Sequence, residues 1–260
     1  MIYLTFKLFV WCLGLVPYLP VLVLIGFIAG FIGTFLGIGG GSVVSPTLVL
    51  LGVEPHLAVS ASLTAVLGTG LGGLVRFLRR GLVRVRVGLV LESVTIVGAV
   101  LGGFVAVRLP GSYVALAISC ALALAGTVIV LQPRLRPPRS LKLALLISMF
   151  AGFLSATTGI GGGVIKVPIL IAVLGLSVKE ALATSKMMVG ITAAFGLTSY
   201  VAHGVYDVLL ALPLAAGTYL GASTAARFVI RLEERKLRAI AALLYYSMSI
   251  LTAVRTVLFS

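Results

Sequence analysis

Apolar residues form long uninterrupted stretches along this chain, and charged residues are confined to the gaps between them. No charged residue lies between Lys7 and Glu54, and four further uncharged stretches cover residues 57–75, 109–133, 143–165 and 208–226. Each is close to or above the roughly 18–20 residues that a helix needs to cross a bilayer. The stretches are apolar on every side, whereas helices of a soluble protein need a polar face. The pattern predicts a polytopic membrane protein.

The predicted elements are α-helices, because the hydrocarbon core tolerates only helices and closed barrels and the chain has no period-two alternation. Residues 1–19 form an N-terminal apolar segment, either an extra span or an interfacial helix. A first repeat covers 20–132, a linker rich in proline and arginine covers 133–141, and a second repeat covers 142–260. The predicted segments are 20–36, 42–51, 57–80, 86–108 and 112–132, then 142–158, 164–174, 177–202, 206–231 and 236–258.

The division into two repeats rests on a glycine string that occurs twice. Gly37–Gly41 and Gly159–Gly163 both have the sequence Gly-Ile-Gly-Gly-Gly, and a proline, Pro46 or Pro168, follows each string. A small-polar cluster comes later in each copy, Ser-Ala-Ser in the first and Ala-Thr-Ser in the second. Similarity at one fixed spacing indicates two copies of one structural unit.

The segments that follow the two strings, 42–51 and 164–174, are too short to cross the membrane alone. About eleven residues of helix rise roughly 16 Å, half of the ~30 Å hydrocarbon core. Each is therefore predicted to pair with the segment before it as a hairpin or broken helix, with its glycine tip deep in the membrane. Pro46 and Pro168 are expected to add a further break.

Charge sets the predicted orientation. The formal net charge is +14, but the arginines lie in short gaps between apolar stretches, which favours a role in membrane topology over nucleic-acid binding. With the basic loops 80–86, 133–142 and 231–238 in the cytoplasm, the first hairpin starts and ends outside, the second starts and ends inside, and the C-terminus is outside. The prediction is an inverted repeat in the cell membrane, with three full spans and one interrupted or re-entrant pair in each half.

The glycine strings are the predicted substrate site, because inverted repeats with interrupted helices place substrates near the midplane. Free backbone N–H groups at the start of the following helix would attract an anion. The competing interpretation is that these glycines only permit close helix packing. Two other pairs, Gly98 with Gly102 and Gly217 with Gly221, fit that packing role better.

Charged and hydroxyl side chains in apolar segments complete the candidate site. Lys166 and Lys186 would offset the charge of an anion, since a buried lysine is costly and usually functional; alternatively one of them snorkels or pairs with Glu92. Glu92 is a candidate proton carrier, or else it pairs with an inner-face arginine. The hydroxyls would bind an oxyanion or bond back to their own helix. The predicted substrate-binding residues are Gly37, Gly39, Gly40, Gly41, Ser62, Gly159, Gly161, Gly162, Gly163, Lys166, Thr184, Ser185 and Lys186.

No catalytic residue, metal site or cofactor is predicted. Cys12 and Cys120 are isolated in apolar stretches, without metal-binding or redox spacing. The chain has only six acidic residues, and no HExxH or G-x-S-x-G sequence is present. Membrane lipid and a small anion are the expected partners, nucleic acid is not, and the oligomeric state is left open.

The doubled Gly-Ile-Gly-Gly-Gly with its following proline and small-Ser element resembles the TauE/SafE family of sulfite-exporter-like membrane transporters, over about residues 20–258. The chain departs from the family pattern at Ser60-Ala61-Ser62, where Gly-Thr-Ser is usual, and at Lys166, a position that is often apolar. The resemblance implies transport of sulfite, sulfoacetate or a related organosulfonate, coupled to an ion gradient. The alternatives are a passive anion channel of the same fold and an intramembrane sulfur-relay protein or enzyme.

Overall fold

The computed structural model describes residues 19–35, 39–131, 140–228 and 234–259, and these ranges are helical without any strand. The predicted N-terminal segment, the basic linker and Gly37 lie wholly or almost wholly outside the described residues. The helices are α1 (Leu19–Phe35), α2 (Gly41–Leu50), α3 (Pro55–Arg79), α4 (Val85–Arg108), α5 (Gly111–Leu131), α6 (Leu141–Thr158), α7 (Gly163–Pro168, continued by a π-helical turn over Ile169–Val173), α8 (Val178–Ala202), α9 (Val208–Phe228) and α10 (Glu234–Phe259).

Six of these helices are long and apolar enough to cross a membrane by length and composition: α3, α4, α5, α6, α8 and α9. The predicted all-α polytopic membrane protein is therefore confirmed. The helices after the glycine strings are short, as predicted, whereas α6 is itself long enough to span. Helix α6, which precedes the second string, is thus a candidate for a full membrane span.

Polar side chains in the gaps fix where the long helices begin. Ser177 and Glu180 form a capping box at the start of α8, each binding the other's backbone N–H. At the start of α3, the Glu54 carboxylate accepts from the amide of Leu57 and binds the His56 ring. Partial burial raises the pKa of Glu54, but these hydrogen bonds outweigh burial and hold the pKa below its ordinary value of 4.5.

A break in the helix was predicted at both Pro46 and Pro168, but the structure shows one only at Pro168. Helix α2 continues through Pro46 without interruption, so the predicted break there is wrong. Pro46 is the sixth residue of α2 and has no N–H to donate to the carbonyl four residues before it, so the helix lacks that one bond but continues through the proline. At Pro168 the α-helical hydrogen bonding does end, and the chain continues as the π-helical turn.

Helices of the two predicted repeats are interleaved instead of forming two separate bundles. Helix α1 packs against α9 of the second repeat, α6 packs against α4 of the first, and α3 packs against α8. A Cβ on Gly98 would lie 2.0 Å from the Met149 carbonyl oxygen, and one on Gly221 would lie 2.0 Å from that of Phe27. Gly102 and Gly217 make similarly close contacts. The packing role expected of these four glycines is confirmed.

Contacts between loops show which helix ends lie on the same face. The Arg84 side chain donates to Glu180 at 2.8 Å, joining the basic 80–86 loop to the start of α8. At the opposite end, the His56 ring contacts the Leu109 carbonyl oxygen at 3.0 Å, joining the start of α3 to the end of α4. The helix ends therefore fall on two faces, and the arginine loop lies opposite the α4–α5 connection.

Candidate functional site

The two glycine strings meet in the interior. A Cβ on Gly41 would lie 2.0 Å from the Gly159 carbonyl oxygen, so the backbones of the two repeats touch there. The Ser62 hydroxyl lies between the strings, 2.9 Å from the Gly159 carbonyl oxygen and 3.2 Å from that of Gly41. Ser45 adds a second link, donating to the Thr158 carbonyl at 2.7 Å. The structure thus brings together the two elements that the sequence predicted to form the site.

Two valines, one from each long central helix, cover both strings. Val66 on α3 and Val189 on α8 each lie close to where a Cβ on Gly161 would be, at 3.2 and 3.1 Å. Val189 is likewise 3.2 Å from such a position on Gly39, and Val66 is 3.9 Å from it. The strings therefore lie between α3 and α8, with these two valines packed against them.

The strings need glycine for their backbone shape. Gly39, Gly159, Gly161 and Gly162 have φ values of +99°, +73°, +92° and +65°. This left-handed region is strained for residues with a Cβ. Gly159 ends α6 as its left-handed cap, and Gly162 precedes the first residue of α7. The second string thus turns the chain sharply between two helices and leaves its backbone close to its neighbours.

Lys186 lies against the first string, although it belongs to the second repeat. Its ammonium group donates to the Gly33 carbonyl oxygen and to the Thr34 hydroxyl, both at 3.1 Å. The same Gly33 carbonyl accepts the backbone N–H of Gly39. Lys186 is 1% exposed, and it forms no ion pair with any carboxylate in the described part of the chain. A buried cation therefore lies beside the glycine string with only neutral partners.

Lys166 takes the alternative role that the sequence left open. Its ammonium group lies 2.6 Å from a Glu92 carboxylate oxygen, and both side chains are buried. Thr192 also contacts Lys166 and donates to the second Glu92 oxygen at 2.8 Å. The expected pairing of Glu92 with an arginine is wrong, because α7 brings Lys166 to the buried face of α4. This group is an ion pair between the repeats.

Some of the remaining predicted site residues lie in the glycine strings, and Thr184 lies at the 80–86 loop instead. The Gly40 amide donates to Thr69, while Gly163 begins α7. The Thr184 hydroxyl accepts the backbone N–H of Arg84 at 2.9 Å, so it holds the 80–86 loop. Its neighbour Ser185 is fully buried in α8.

Ser155 is a candidate that the sequence analysis missed. It lies on α6, is 1% exposed, and its hydroxyl has no hydrogen-bond partner among the residues that the structure describes. It lines a small cavity of about 10 Å³ together with Thr158, Ile160 and Gly162 of the second string. That volume suits about one water molecule. A serine in an apolar helix is a weak sequence signal, because such residues usually bond to their own helix.

Comparisons with known proteins agree with this architecture. The family model for the sulfite exporter TauE/SafE family matches residues 22–252. A probable membrane transporter protein of Haemophilus influenzae is 31% identical over 70% of this chain and 73% of its own length. Probable membrane transporter protein YunE of Bacillus subtilis is 24% identical, over 83% of this chain and 90% of its own.

A third relative comes from an archaeon. Probable membrane transporter protein MJ0441 of Methanocaldococcus jannaschii is 27% identical over 78% of this chain and 85% of its own length. No solved structure matches the chain. The family match covers both glycine strings and all helices that bear the candidate site, and this chain therefore belongs to the sulfite exporter TauE/SafE family.

Proposed function

We propose that this protein is a secondary transporter that moves a small sulfur-containing anion, such as sulfite, sulfoacetate or a related organosulfonate, across the cell membrane. The observation that carries the proposal is Lys186, a buried cation whose partners are neutral groups at the end of α1, beside the first glycine string. A buried charge is costly unless it is paired. An anion beside the first string would supply the missing partner.

The contact between the strings supports alternating access. With Gly41 against the Gly159 carbonyl and the Ser62 hydroxyl bridging both, an anion cannot enter between the strings without moving the repeats apart. In the proposed cycle the two interleaved, inversely oriented repeats rock against each other and open the glycine region to one face at a time. The string glycines, Ser62 and Ser185 would line the anion site.

Glu92 is proposed to couple transport to a proton gradient through its pair with Lys166. Protonation of Glu92 would remove its charge and end the ion pair, which joins α4 of one repeat to α7 of the other. The energy of that pair would then no longer hold the repeats together. Lys166 in this scheme acts on the anion only when it is released from Glu92.

The expected orientation remains part of the proposal: the basic loops 80–86, 133–142 and 231–238 lie in the cytoplasm and the C-terminus lies outside. An excess of arginine on the cytoplasmic side is the physical reason. Alkaline phosphatase and green fluorescent protein fusions at the C-terminus test it in cells. Activity of the first fusion and no fluorescence of the second is the expected result.

Binding is the first test of the central site. Lys186→Ala should abolish calorimetrically detected sulfite binding by detergent-purified protein, while Lys179→Ala, an exposed lysine on the same helix, should leave it unchanged. Equal affinity in both variants would remove Lys186 from the site.

Counterflow in liposomes separates a transporter from the alternatives. Gradient-coupled, saturable exchange of labelled sulfite is expected. Passive current without counterflow would instead favour an anion channel of the same fold. Chemical turnover of the sulfur compound without vectorial movement would favour an intramembrane enzyme or sulfur-relay protein.

A further inference from the structure

The buried charges of the protein do not cancel. Among the residues that the structure describes, the buried charged side chains are Glu92 on α4, Lys166 on α7 and Lys186 on α8, and each is 1% exposed. In their ordinary ionised forms these are one carboxylate and two ammonium groups. The carboxylate offsets one ammonium group, so the described interior keeps one positive charge.

The surplus charge belongs to Lys186. Lys166 lies 2.6 Å from one Glu92 oxygen, and Thr192 donates to the other oxygen at 2.8 Å, so this group as a whole is neutral. The partners of Lys186 are the Gly33 carbonyl oxygen and the Thr34 hydroxyl, which carry no net charge. The interior is thus one negative charge short of neutrality, and the shortage is beside the first glycine string.

The neutral pair lies close enough to Lys186 for its own charge to matter. Lys186 and Thr192 are six residues apart on α8, which is about 9 Å of helical rise. At about 10 Å and an effective dielectric constant of about 20, one added unit charge changes the affinity for a monovalent anion roughly tenfold and that for a divalent anion roughly hundredfold. While Glu92 is ionised, the charge of Lys166 is cancelled and this effect is small.

We propose that the central site selects monovalent anions, such as hydrogen sulfite or a monosulfonate, over dianions, and that Glu92 sets this selection by cancelling the charge of Lys166. The inference rests on the proposed function, since it concerns the anion bound beside Lys186. One monovalent anion makes the interior neutral, whereas a dianion leaves a buried negative charge uncompensated, which is costly. A dianion such as sulfite or sulfoacetate is therefore carried only together with a proton on Glu92, which leaves both lysines charged.

Two tetrahedral sulfur anions of similar size and different charge test the proposal. Methanesulfonate is monovalent and sulfate is divalent, and neither changes its charge near neutral pH. Calorimetry measures the affinity of detergent-purified protein for each at constant ionic strength. The unaltered protein should bind methanesulfonate at least about tenfold more tightly than sulfate. The ratio of the two affinities is the readout, because a variant that only damages the fold lowers both.

Charge variants decide whether Glu92 is responsible. Glu92→Gln leaves Lys166 uncancelled and should shift the ratio roughly tenfold toward sulfate, whereas Lys166→Met leaves Glu92 uncancelled and should shift it roughly tenfold toward methanesulfonate. The double variant Lys166→Met with Glu92→Leu has the same net buried charge as the unaltered protein, so it should keep the original ratio. It also serves as the test if a single variant does not fold. Glu54→Gln, which removes a carboxylate that is 47% exposed, is the control and should not change the ratio.

The outcomes separate this inference from the proposed transport function. Where Lys186→Ala abolishes sulfite binding, equal affinities for the two probes, or tighter binding of sulfate by the unaltered protein, overturn the selection alone. A ratio that stays constant in Glu92→Gln, or that changes in the double variant, overturns the role of Glu92. Binding of sulfite without binding of methanesulfonate overturns the proposal too, because charge is the property that it says decides. If sulfite binding is absent, or persists in Lys186→Ala, the proposed function fails and this inference fails with it.

Discussion

The two buried lysines should respond differently to mutation, because Lys166 is paired with a carboxylate and Lys186 has only neutral partners. Lys166 and Glu92 form a pair whose side chains are 0% and 2% exposed. Lys186 has two neutral acceptors. The perturbations are Lys166→Met, Glu92→Leu, the double variant of those two, and Lys186→Met.

The size of the effect follows from burial. Removing one partner of a buried ion pair leaves the other charge uncompensated, which costs about 3–5 kcal/mol, whereas replacing both partners by apolar residues is often neutral or stabilising. Lys166→Met and Glu92→Leu should each lower the free energy of unfolding by that amount. The double variant should recover to within about 1 kcal/mol of the original protein.

Lys186→Met should behave differently. It loses two hydrogen bonds from a charged donor, each contributing roughly 1.5–3 kcal/mol. It also removes the several kcal/mol that desolvation of an unpaired ammonium group costs. The two effects nearly offset each other, so the free energy of unfolding should stay close to that of the original protein while anion binding is lost.

Reversible unfolding in mixed dodecylmaltoside and dodecylsulfate micelles measures all four variants on one scale. Additive losses in the double variant would refute the ion pair as a coupled unit, since paired residues in contact must show an interaction energy. A loss in Lys186→Met as large as that in Lys166→Met would refute the distinction between the two lysines.

Three further predictions concern single positions. Gly41→Ala should abolish transport and reduce thermal stability, because the added Cβ would lie 2.0 Å from the Gly159 carbonyl oxygen. The control Gly190→Ala should change little, since the nearest atom to its Cβ would be 3.7 Å away. A normal uptake rate for Gly41→Ala would contradict the contact between the strings. Ser155→Ala should leave unfolding unchanged or raise its midpoint, since it removes an unpartnered buried hydroxyl, and it should weaken sulfite binding; unaltered affinity would exclude Ser155 from the site. Because the folded pKa of Glu54 is depressed, the stability that Glu54 contributes is present above pH 4.5 and is lost as the pH falls through the lower folded pKa. The effect is small, since the side chain is 47% exposed. Glu54→Gln should flatten this part of the plot of melting temperature against pH, and an unchanged plot would contradict the prediction.

Much of the fold could be predicted from local features of the sequence. Long apolar stretches identify membrane helices, because the hydrocarbon core excludes unpaired backbone groups. The repeated glycine string marked the short helices, and the Gly98 and Gly221 positions marked close packing. Each of these signals lies within a few residues of the feature that it predicts.

Partner choice could not be predicted in the same way. Lys166 and Lys186 are both lone lysines in apolar segments of the second repeat, and nothing nearby in sequence says that one reaches Glu92 and the other Gly33. Those contacts join residues 74 and 153 positions apart. They exist because α6 packs against α4 and α1 against α9, which interleaves the repeats.

The sequence by itself determined that this chain is a helical membrane protein in which one glycine string occurs twice, because hydrophobicity and repetition are properties of the chain read in order. Only the tertiary structure decided that the strings touch and that Thr184 holds a loop. It also decided that, within the described ranges, Ser155 lacks a partner and Lys186, unlike Lys166, has no carboxylate beside it. The physical reason is that the energy of a buried charge depends on its neighbours in space, and packing between distant helices chooses those neighbours.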